Sequence, residues 1–191
     1  MSKKVINVAL LGLGTVGTGV YKVLKMQQDD MEDKIGARAE IKKILVRNLK
    51  KAAAKIEEPE LLTNDWKEIL EDDSIEIVIE VMGGIEPAKT YMLEALKAGK
   101  HVVTANKDLV ASYGQKVLDC AAANNRDFLF EAAVAGGIPI IRPLKQCLAG
   151  NHLSEVVGIV NGTTNFILTK MTQEGMEFAE ALKSDRSHVV L

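Results

Sequence analysis

A glycine-rich turn near the N-terminus is the feature that most constrains how this chain can fold. Gly12, Gly14 and Gly17 follow an apolar run over residues 5–11 and precede a helical stretch that reaches residue 28. In such a strand–turn–helix, the three glycines permit a tight turn, a close approach to a pyrophosphate and packing of the helix on the strand. The phosphates would then lie at the helix N-terminus. The motif predicts a dinucleotide site, although a structural turn without a ligand could use the same glycines.

The composition limits the class of protein. The chain has 191 residues, is 47% hydrophobic and has a net charge of -2, whereas nucleic-acid-binding proteins usually have a basic excess. No apolar run approaches the ~20 residues that span a membrane, and we identify no signal peptide. Two cysteines, Cys120 and Cys147, make no disulfide framework and fit a reducing compartment. We therefore expect a cytoplasmic protein that binds neither nucleic acid nor a membrane.

Strand and helix patterns alternate along the first two thirds of the chain. We predict strands over residues 4–11, 39–46, 75–81, 101–104 and 127–130, and helices over 15–28, 65–70, from Pro87 to Gly99, and 113–124. We interpret the polar residues 27–34 as lengthening the connection between the first helix and the second strand. Repeated β–α units predict a parallel sheet covered on both faces. The expected fold class is α/β, a Rossmann-type doubly wound sheet over residues 1–130.

The composition of the sequence changes after Phe130, where the chain becomes glycine-rich. We predict a helix over residues 140–149, a strand over 153–160, a helix from Asn161 to about 173 and another over 176–183, with residues 184–191 outside the helical pattern. These elements would begin a second α+β domain over residues 131–191. About sixty residues are few for such a domain, so we expect it to be incomplete.

Arg47 is the candidate for recognising the adenosine end of a dinucleotide. An acid at the end of the second strand binds the ribose hydroxyl of NAD, whereas a basic residue accommodates the 2′-phosphate of NADP. Here Arg47 follows the strand, and Lys50 and Lys51 come shortly after it in the sequence. Since a guanidinium suits a phosphate, we predict NADP, with NAD possible. The alternative is a solvated, basic helix start.

Two further motifs follow predicted strands, whose carboxyl ends line the ligand crevice of an open α/β sheet. Gly83 and Gly84 follow one strand and would permit close approach of the cofactor, or form a simple turn. Lys107 follows the next strand and could stabilise a developing alkoxide or hold the cofactor. A solvated loop lysine is the alternative for Lys107.

A possible cation site lies at the start of the second domain. Glycine-rich, irregular backbone runs from Glu131 through Val134 and Gly136 to Ile138. Backbone carbonyls with one carboxylate suit a hard cation. An interdomain hinge would explain the same residues.

Five motifs together resemble homoserine dehydrogenase, in order and spacing, from about residue 3 to residue 183. The motifs at residues 131–140 and 160–168 are more specific than the glycine turn, and we identify the chain as a member of that family. They are Gly12-Leu-Gly-Thr-Val-Gly17, Glu80-Val-Met-Gly-Gly84 with Glu86-Pro-Ala88, Val103-Thr-Ala-Asn-Lys107, Glu131-Ala-Ala-Val-Ala-Gly-Gly-Ile-Pro-Ile140 and Val160-Asn-Gly-Thr-Thr-Asn-Phe-Ile-Leu168.

The resemblance implies the NAD(P)-linked interconversion of L-aspartate 4-semialdehyde and L-homoserine, in threonine and methionine biosynthesis. It implies a small-molecule substrate and, in the full-length family form, a homodimer or higher assembly. It also implies roles for individual residues. The implied cofactor contacts are Leu13, Thr15, Val16, Arg47 and Lys107, with Lys107 also near the reacting oxygen; the implied sodium ligands are Glu131, Val134, Gly136 and Ile138; and the implied substrate loop contains Gly162 and Thr163.

The sequence also departs from the family pattern. The family continues after residue 168 with a G-Y-x-E-x-D-P segment and then a helix that carries an aspartate and a proton-donating lysine. This sequence has neither, so we expect an incomplete form with little or no dehydrogenase activity. The alternative function is a non-catalytic NADP-binding module or a partner subunit for a longer chain.

Overall fold

The computed structural model describes residues 4–159 and 161–188. Six parallel strands form one sheet in the order β3-β2-β1-β4-β5-β6. The strands are β1 Lys4–Leu11, β2 Ala37–Leu45, β3 Leu62–Thr63, β4 Ile75–Glu80, β5 His101–Thr104 and β6 Phe128–Leu129. Strand order reverses between β1 and β4, so the crevice beyond the carboxyl ends of these two strands is the expected ligand position. The sequence-based fold class is confirmed.

Eight α-helices accompany the described strands. They are α1 Thr15–Met26, α2 Gln28–Ile35, α3 Leu49–Ala53, α4 Lys67–Leu70, α5 Ala88–Lys97, α6 Lys107–Ala123, α7 Gly162–Glu174 and α8 Phe178–His188. Short 3₁₀ turns cover Pro59–Leu61 and Glu131–Ala133, and one turn of π-helix covers Pro143–Cys147. In the described residues, no helix is both long and apolar enough to cross a lipid bilayer.

Two apolar clusters form because neighbouring residues of a strand point to opposite faces of the sheet. Leu11 packs with Met92 of α5 and Leu109 of α6 in one cluster. Leu10 packs with Tyr21 of α1 in the other. The alternation along β1 thus fixes which helices cover which face.

The first correction concerns the predicted connection over residues 27–34, because residues 28–34 form most of α2. Its charged residues complement the helix dipole, because Asp29 and Asp30 lie in the first turn and Lys34 lies in the last. Gly36 ends it in the left-handed conformation, with φ +68°. These end signals outweigh the shortage of apolar residues.

The other corrections concern the later helices and one strand. The predicted helix over 113–124 begins earlier, at Lys107, because the side chain of Asn106 caps it by accepting a bond from the Leu109 amide at 3.2 Å. Helix α8 continues to His188, since residues 184–188 contain neither glycine nor proline.

Residues 153–159 form no strand, and Val160 of that prediction lies outside the described residues. A strand needs a hydrogen-bonded neighbour, and none of the described strands pairs with this segment.

The chain divides into two compact units, Met1–Gly136 and Gly137–Leu191. The first contains the complete sheet and helices α1 to α6. Among its described residues, the second contains helices and no strand. Apolar side chains of the unpaired segment 153–159 are exposed, with Val156 62% and Ile159 74% accessible.

Asp72 gives the first unit a predictable acid sensitivity. Its carboxylate pairs with Lys42 of β2 at 2.7 Å and accepts bonds from the hydroxyl and amide of Ser74 at 2.7 and 3.0 Å. Chiefly because of the Lys42 contact, the pKa of Asp72 falls from 3.8 to about 2. A lowered pKa means that the stabilisation is present above pH 3.8 and is lost as the pH falls through 2.

We therefore expect Asp72→Asn to lower the free energy of unfolding at pH 7 by about 1–2 kcal/mol, allowing for solvent screening. Urea unfolding of the two proteins at pH 7 and at pH 2 measures this, and the difference should shrink at the lower pH. Asp73→Asn removes the same charge from a neighbouring exposed position and is the control. Equal losses in both variants would show that the Lys42 contact is not responsible.

Candidate functional site

A cleft of about 470 Å³ lies beyond the carboxyl ends of β1, β2 and β4. All its lining residues belong to the first unit. They include Gly12, Leu13 and Gly14 of the glycine turn, Arg47 and Asn48 after β2, and Met82 and Gly83 after β4. The cleft therefore occupies the switch point at which doubly wound sheets bind their ligands.

The three glycines of the turn have different surroundings. Gly12 has φ +100°, and a Cβ there would lie 3.0 Å from the Val81 carbonyl oxygen; a Cβ at Gly17 would lie only 2.1 Å from the Gly12 carbonyl oxygen. A Cβ at Gly14 would meet nothing within 4 Å. The backbone of the fold thus requires glycine at 12 and 17, whereas at 14 the open space adjoins the cleft.

The N-terminus of α1 opens from this turn. Its N-cap is Gly14, no side chain caps it, and its first turn contains no acid. Amide groups at such an end carry partial positive charge and bind anions. Thr15 and Val16 form the exposed start of the helix, and Gly17 is buried beneath it. These residues have the chemistry to bind a pyrophosphate.

Two side chains of the segment that follows α3, Lys55 and Glu58, hold the turn and α1 from outside. Lys55 donates from Nζ to the Leu13 carbonyl oxygen at 2.8 Å. Tyr21 of α1 donates to Glu58 at 3.1 Å, and Glu58 also pairs with Lys25. These contacts hold α1 against the segment that follows α3. The sequence analysis missed Lys55, because a lysine beyond a short helix gives no signal of its own.

Charge in the cleft favours an anion. Three basic side chains, Arg47, Lys51 and Lys55, line it, against one carboxylate, Glu86. Glu86 already pairs with Lys89 and accepts a bond from the Thr90 hydroxyl at 2.8 Å. The Lys89 contact lowers the pKa of Glu86 below its ordinary value. Arg47 follows β2 by two residues and is exposed.

Lys107 does not line this cleft. It is the first residue of α6 and is exposed, at the carboxyl end of β5. Asn106, which precedes it, donates from its side chain to the Gly84 carbonyl oxygen at 2.6 Å. The loops after β4 and β5 are thereby joined next to Gly83, which does line the cleft.

The predicted cation and substrate residues lie near or beyond the division between the units. Glu131 begins a 3₁₀ turn, and Ala135 and Gly136 both have positive φ, +57° and +59°. Among the described residues, no group of three or more histidine, cysteine, aspartate or glutamate side chains could hold a metal ion. Gly162 and Thr163 form the first turn of α7, where Asn161 caps the helix by accepting a bond from the Thr164 amide at 2.8 Å.

Family models match both parts of the chain. The model for the NAD-binding domain of homoserine dehydrogenase matches residues 12–131, and the homoserine dehydrogenase model matches residues 139–188. The first match includes the glycine turn, Arg47, Gly83 and Lys107. The second includes Gly162 and Thr163.

Curated relatives and solved structures agree with these matches. Homoserine dehydrogenase from Bacillus subtilis is 48% identical over 94% of the chain, and that from Corynebacterium glutamicum is 47% identical over 93%. The chain spans only 42% and 40% of these relatives' lengths.

Two solved structures resemble the chain. The crystal structure of a homoserine dehydrogenase from Thiobacillus denitrificans has a TM-score of 0.86 at 44% identity, covering 96% of this chain and 42% of that one. A hyperthermophilic archaeal homoserine dehydrogenase in complex with NADPH has a TM-score of 0.80 at 28% identity, covering 96% and 61%.

Proposed function

The chain belongs to the homoserine dehydrogenase family, and we propose that it binds NADP in the cleft at the switch point of its sheet. The observation that carries this proposal is the uncapped N-terminus of α1 beside Gly14, at which a Cβ would meet nothing within 4 Å. Binding of NADPH by a related archaeal enzyme supports the same cofactor here. Arg47 and the excess of basic side chains in the cleft support NADP over NAD.

The proposed reaction is the interconversion of L-aspartate 4-semialdehyde and L-homoserine. The bound nicotinamide cofactor supplies the hydride chemistry. Leu13, Thr15 and Val16 would contact the cofactor at the turn, and Gly83 would allow its close approach. Lys107 would lie near the nicotinamide and stabilise negative charge on the reacting oxygen, while Gly162 and Thr163 would contact the substrate.

Titration with NADPH, followed by a turnover assay with L-aspartate 4-semialdehyde, tests this proposal. Binding with oxidation of the cofactor supports the enzyme. Binding without turnover supports the second candidate, a binding module or partner subunit, which is favoured by one observation: every lining residue of the cleft belongs to the first unit. Failure to bind NADPH contradicts both.

We also propose a sodium ion held by Glu131, Val134, Gly136 and Ile138. Its support is the irregular backbone there, with consecutive left-handed residues that turn carbonyl groups out of a regular pattern. Thermal unfolding in sodium chloride is expected to occur at a higher temperature than in choline chloride at equal ionic strength. Equal midpoints would count against the site.

We also propose that the chain self-associates in a cytoplasmic location. The exposed apolar residues of segment 153–159 support association into a homodimer or higher form. Light scattering after size-exclusion chromatography measures the mass directly, and a monomer at micromolar concentration would contradict this part. Both cysteines are free thiols, which supports a reducing location.

A further inference from the structure

Glu80, the last residue of β4, is a fully buried carboxylate. Its Oε1 accepts bonds from the amides of Met82 at 2.8 Å and Gly83 at 3.3 Å. Its Oε2 accepts a bond from the Thr104 hydroxyl at 2.6 Å. All three donors are neutral, so oriented backbone and hydroxyl dipoles compensate the burial. Burying a carboxylate costs free energy, and Glu80 directly precedes two residues that line the cleft, so we expect it to have a role beyond packing.

Thr104 extends this contact to the neighbouring loop. Its hydroxyl oxygen accepts a bond from the Asn106 amide at 3.0 Å. Asn106 in turn donates to the Gly84 carbonyl oxygen at 2.6 Å and caps α6 through the Leu109 amide. Three hydrogen bonds thus link Glu80 to Thr104, Thr104 to Asn106 and Asn106 to Gly84, and the backbone of residues 80–84 closes the ring. We call Glu80, Thr104 and Asn106 the loop-coupling triad, because they fix the loops after β4 and β5 against each other.

The triad gives the two glycine turns of the cleft opposite chemistry. Gly83 and Gly84 have φ +75° and +74°, and successive amides in such a turn can bind an anion. Here Glu80 already occupies the amides of Met82 and Gly83. At the start of α1, by contrast, no side chain caps the helix. We therefore expect the phosphates of a bound dinucleotide at the first turn.

The second turn offers acceptors instead of donors. In a trans peptide the carbonyl points away from the N–H group, so the carbonyls of Val81 and Met82 point away from Glu80. The Val81 oxygen indeed lies on the side of Gly12, 3.0 Å from where a Cβ of that residue would be. Carbonyl oxygens suit a hydroxyl or carboxamide donor of a nucleoside.

We propose that Glu80 and Thr104 are positioning residues for the nicotinamide half of the cofactor. Glu80 fills the amides of the second glycine turn, so that this turn accepts hydrogen bonds from nucleoside hydroxyl or carboxamide groups and is closed to phosphate. Thr104 holds the turn against the start of α6. This inference rests on the proposed function, namely that the cleft binds NADP.

The test compares two ligands by isothermal titration calorimetry. NADPH contains both halves of the cofactor, whereas adenosine 2′,5′-bisphosphate contains only the adenosine half with the 2′-phosphate. Thr104→Val is expected to weaken NADPH about 3–10-fold, the effect of one or two hydrogen bonds, and to change bisphosphate binding by less than about 2-fold. Thr104→Ser, which retains the hydroxyl, restores NADPH binding.

Glu80→Gln supplies an independent variant of similar shape, expected to weaken NADPH selectively in the same way. It carries the test if Thr104→Val does not fold. Equal weakening of both ligands would reduce the triad to a general structural role and overturn the inference. So would unchanged NADPH affinity in the folded variants. If the unmutated chain binds neither ligand, the proposed function itself fails, and that result is distinct from both others.

Discussion

Replacing Gly17 with alanine is expected to destabilise the first unit by about 3 kcal/mol or more, a large part of the stability of an ordinary domain. The added Cβ would lie 2.1 Å from the Gly12 carbonyl oxygen and 3.2 Å from a Val81 methyl group. The nearer atom belongs to the backbone of the tight turn and cannot rotate away, so α1 would have to move off β1. Urea unfolding followed by circular dichroism measures the loss, or soluble yield where the variant does not fold.

Gly14→Ala is the matched control for this substitution. A Cβ there meets nothing within 4 Å, and Gly14 has φ -78°, which alanine adopts readily. We expect this variant to unfold within about 1 kcal/mol of the unmutated chain, yet to bind NADPH poorly because the methyl group enters the space for the pyrophosphate. Equal destabilisation by the two substitutions would contradict this division of roles between the glycines.

Arg47→Asp is expected to weaken NADPH by about 10–100-fold and NADH far less. A charge-assisted hydrogen bond to a phosphate contributes about 1.5–3 kcal/mol, and each 1.4 kcal/mol corresponds to a factor of ten. The introduced aspartate also repels the 2′-phosphate, whereas it can accept a bond from the ribose hydroxyl of NADH. Fluorescence titration with both cofactors gives the ratio of their dissociation constants.

Lys50→Asp makes the same change in charge three residues away, at a position that does not line the cleft. If the effect of Arg47 arises from a direct contact, the Lys50 variant should change the NADPH to NADH ratio much less. Similar ratios in the two variants would indicate a general field effect. Equal affinity of the unmutated chain for both cofactors would remove the basis for assigning Arg47 to the 2′-phosphate.

The sheet was predictable because its signals are local. The apolar run of β1, the glycine turn and the alternation of strand and helix define a parallel α/β fold without knowledge of any long-range contact. The same signals placed Gly12, Gly14, Arg47 and Gly83 at strand ends, and in the structure all four line one cleft. Strand ends converge in a parallel sheet, so sequence position there predicts spatial position.

The sequence-based errors occurred where local pattern and tertiary contact disagree. Residues 153–160 have a strand-like composition, but strand formation needs a neighbour to pair with. The sequence predicts the start of α6 too late, because the cap of this helix is Asn106, which follows a strand as a loop residue would. The polar helix α2 was missed because its end signals had to be weighed against its lack of an apolar face.

The amino-acid sequence by itself determined the fold class, the position of the glycine turn and the family to which the chain belongs, because each depends on the order and spacing of residues along the chain. Tertiary structure alone decided which glycine turn keeps its amides free. Glu80 meets Thr104 across 24 residues of sequence, and Lys55 reaches Leu13 across 42. Such pairs form only when β4, β5 and the segment after α3 converge around the cleft, so hydrogen-bond partners, unlike strand ends, follow from the folded geometry.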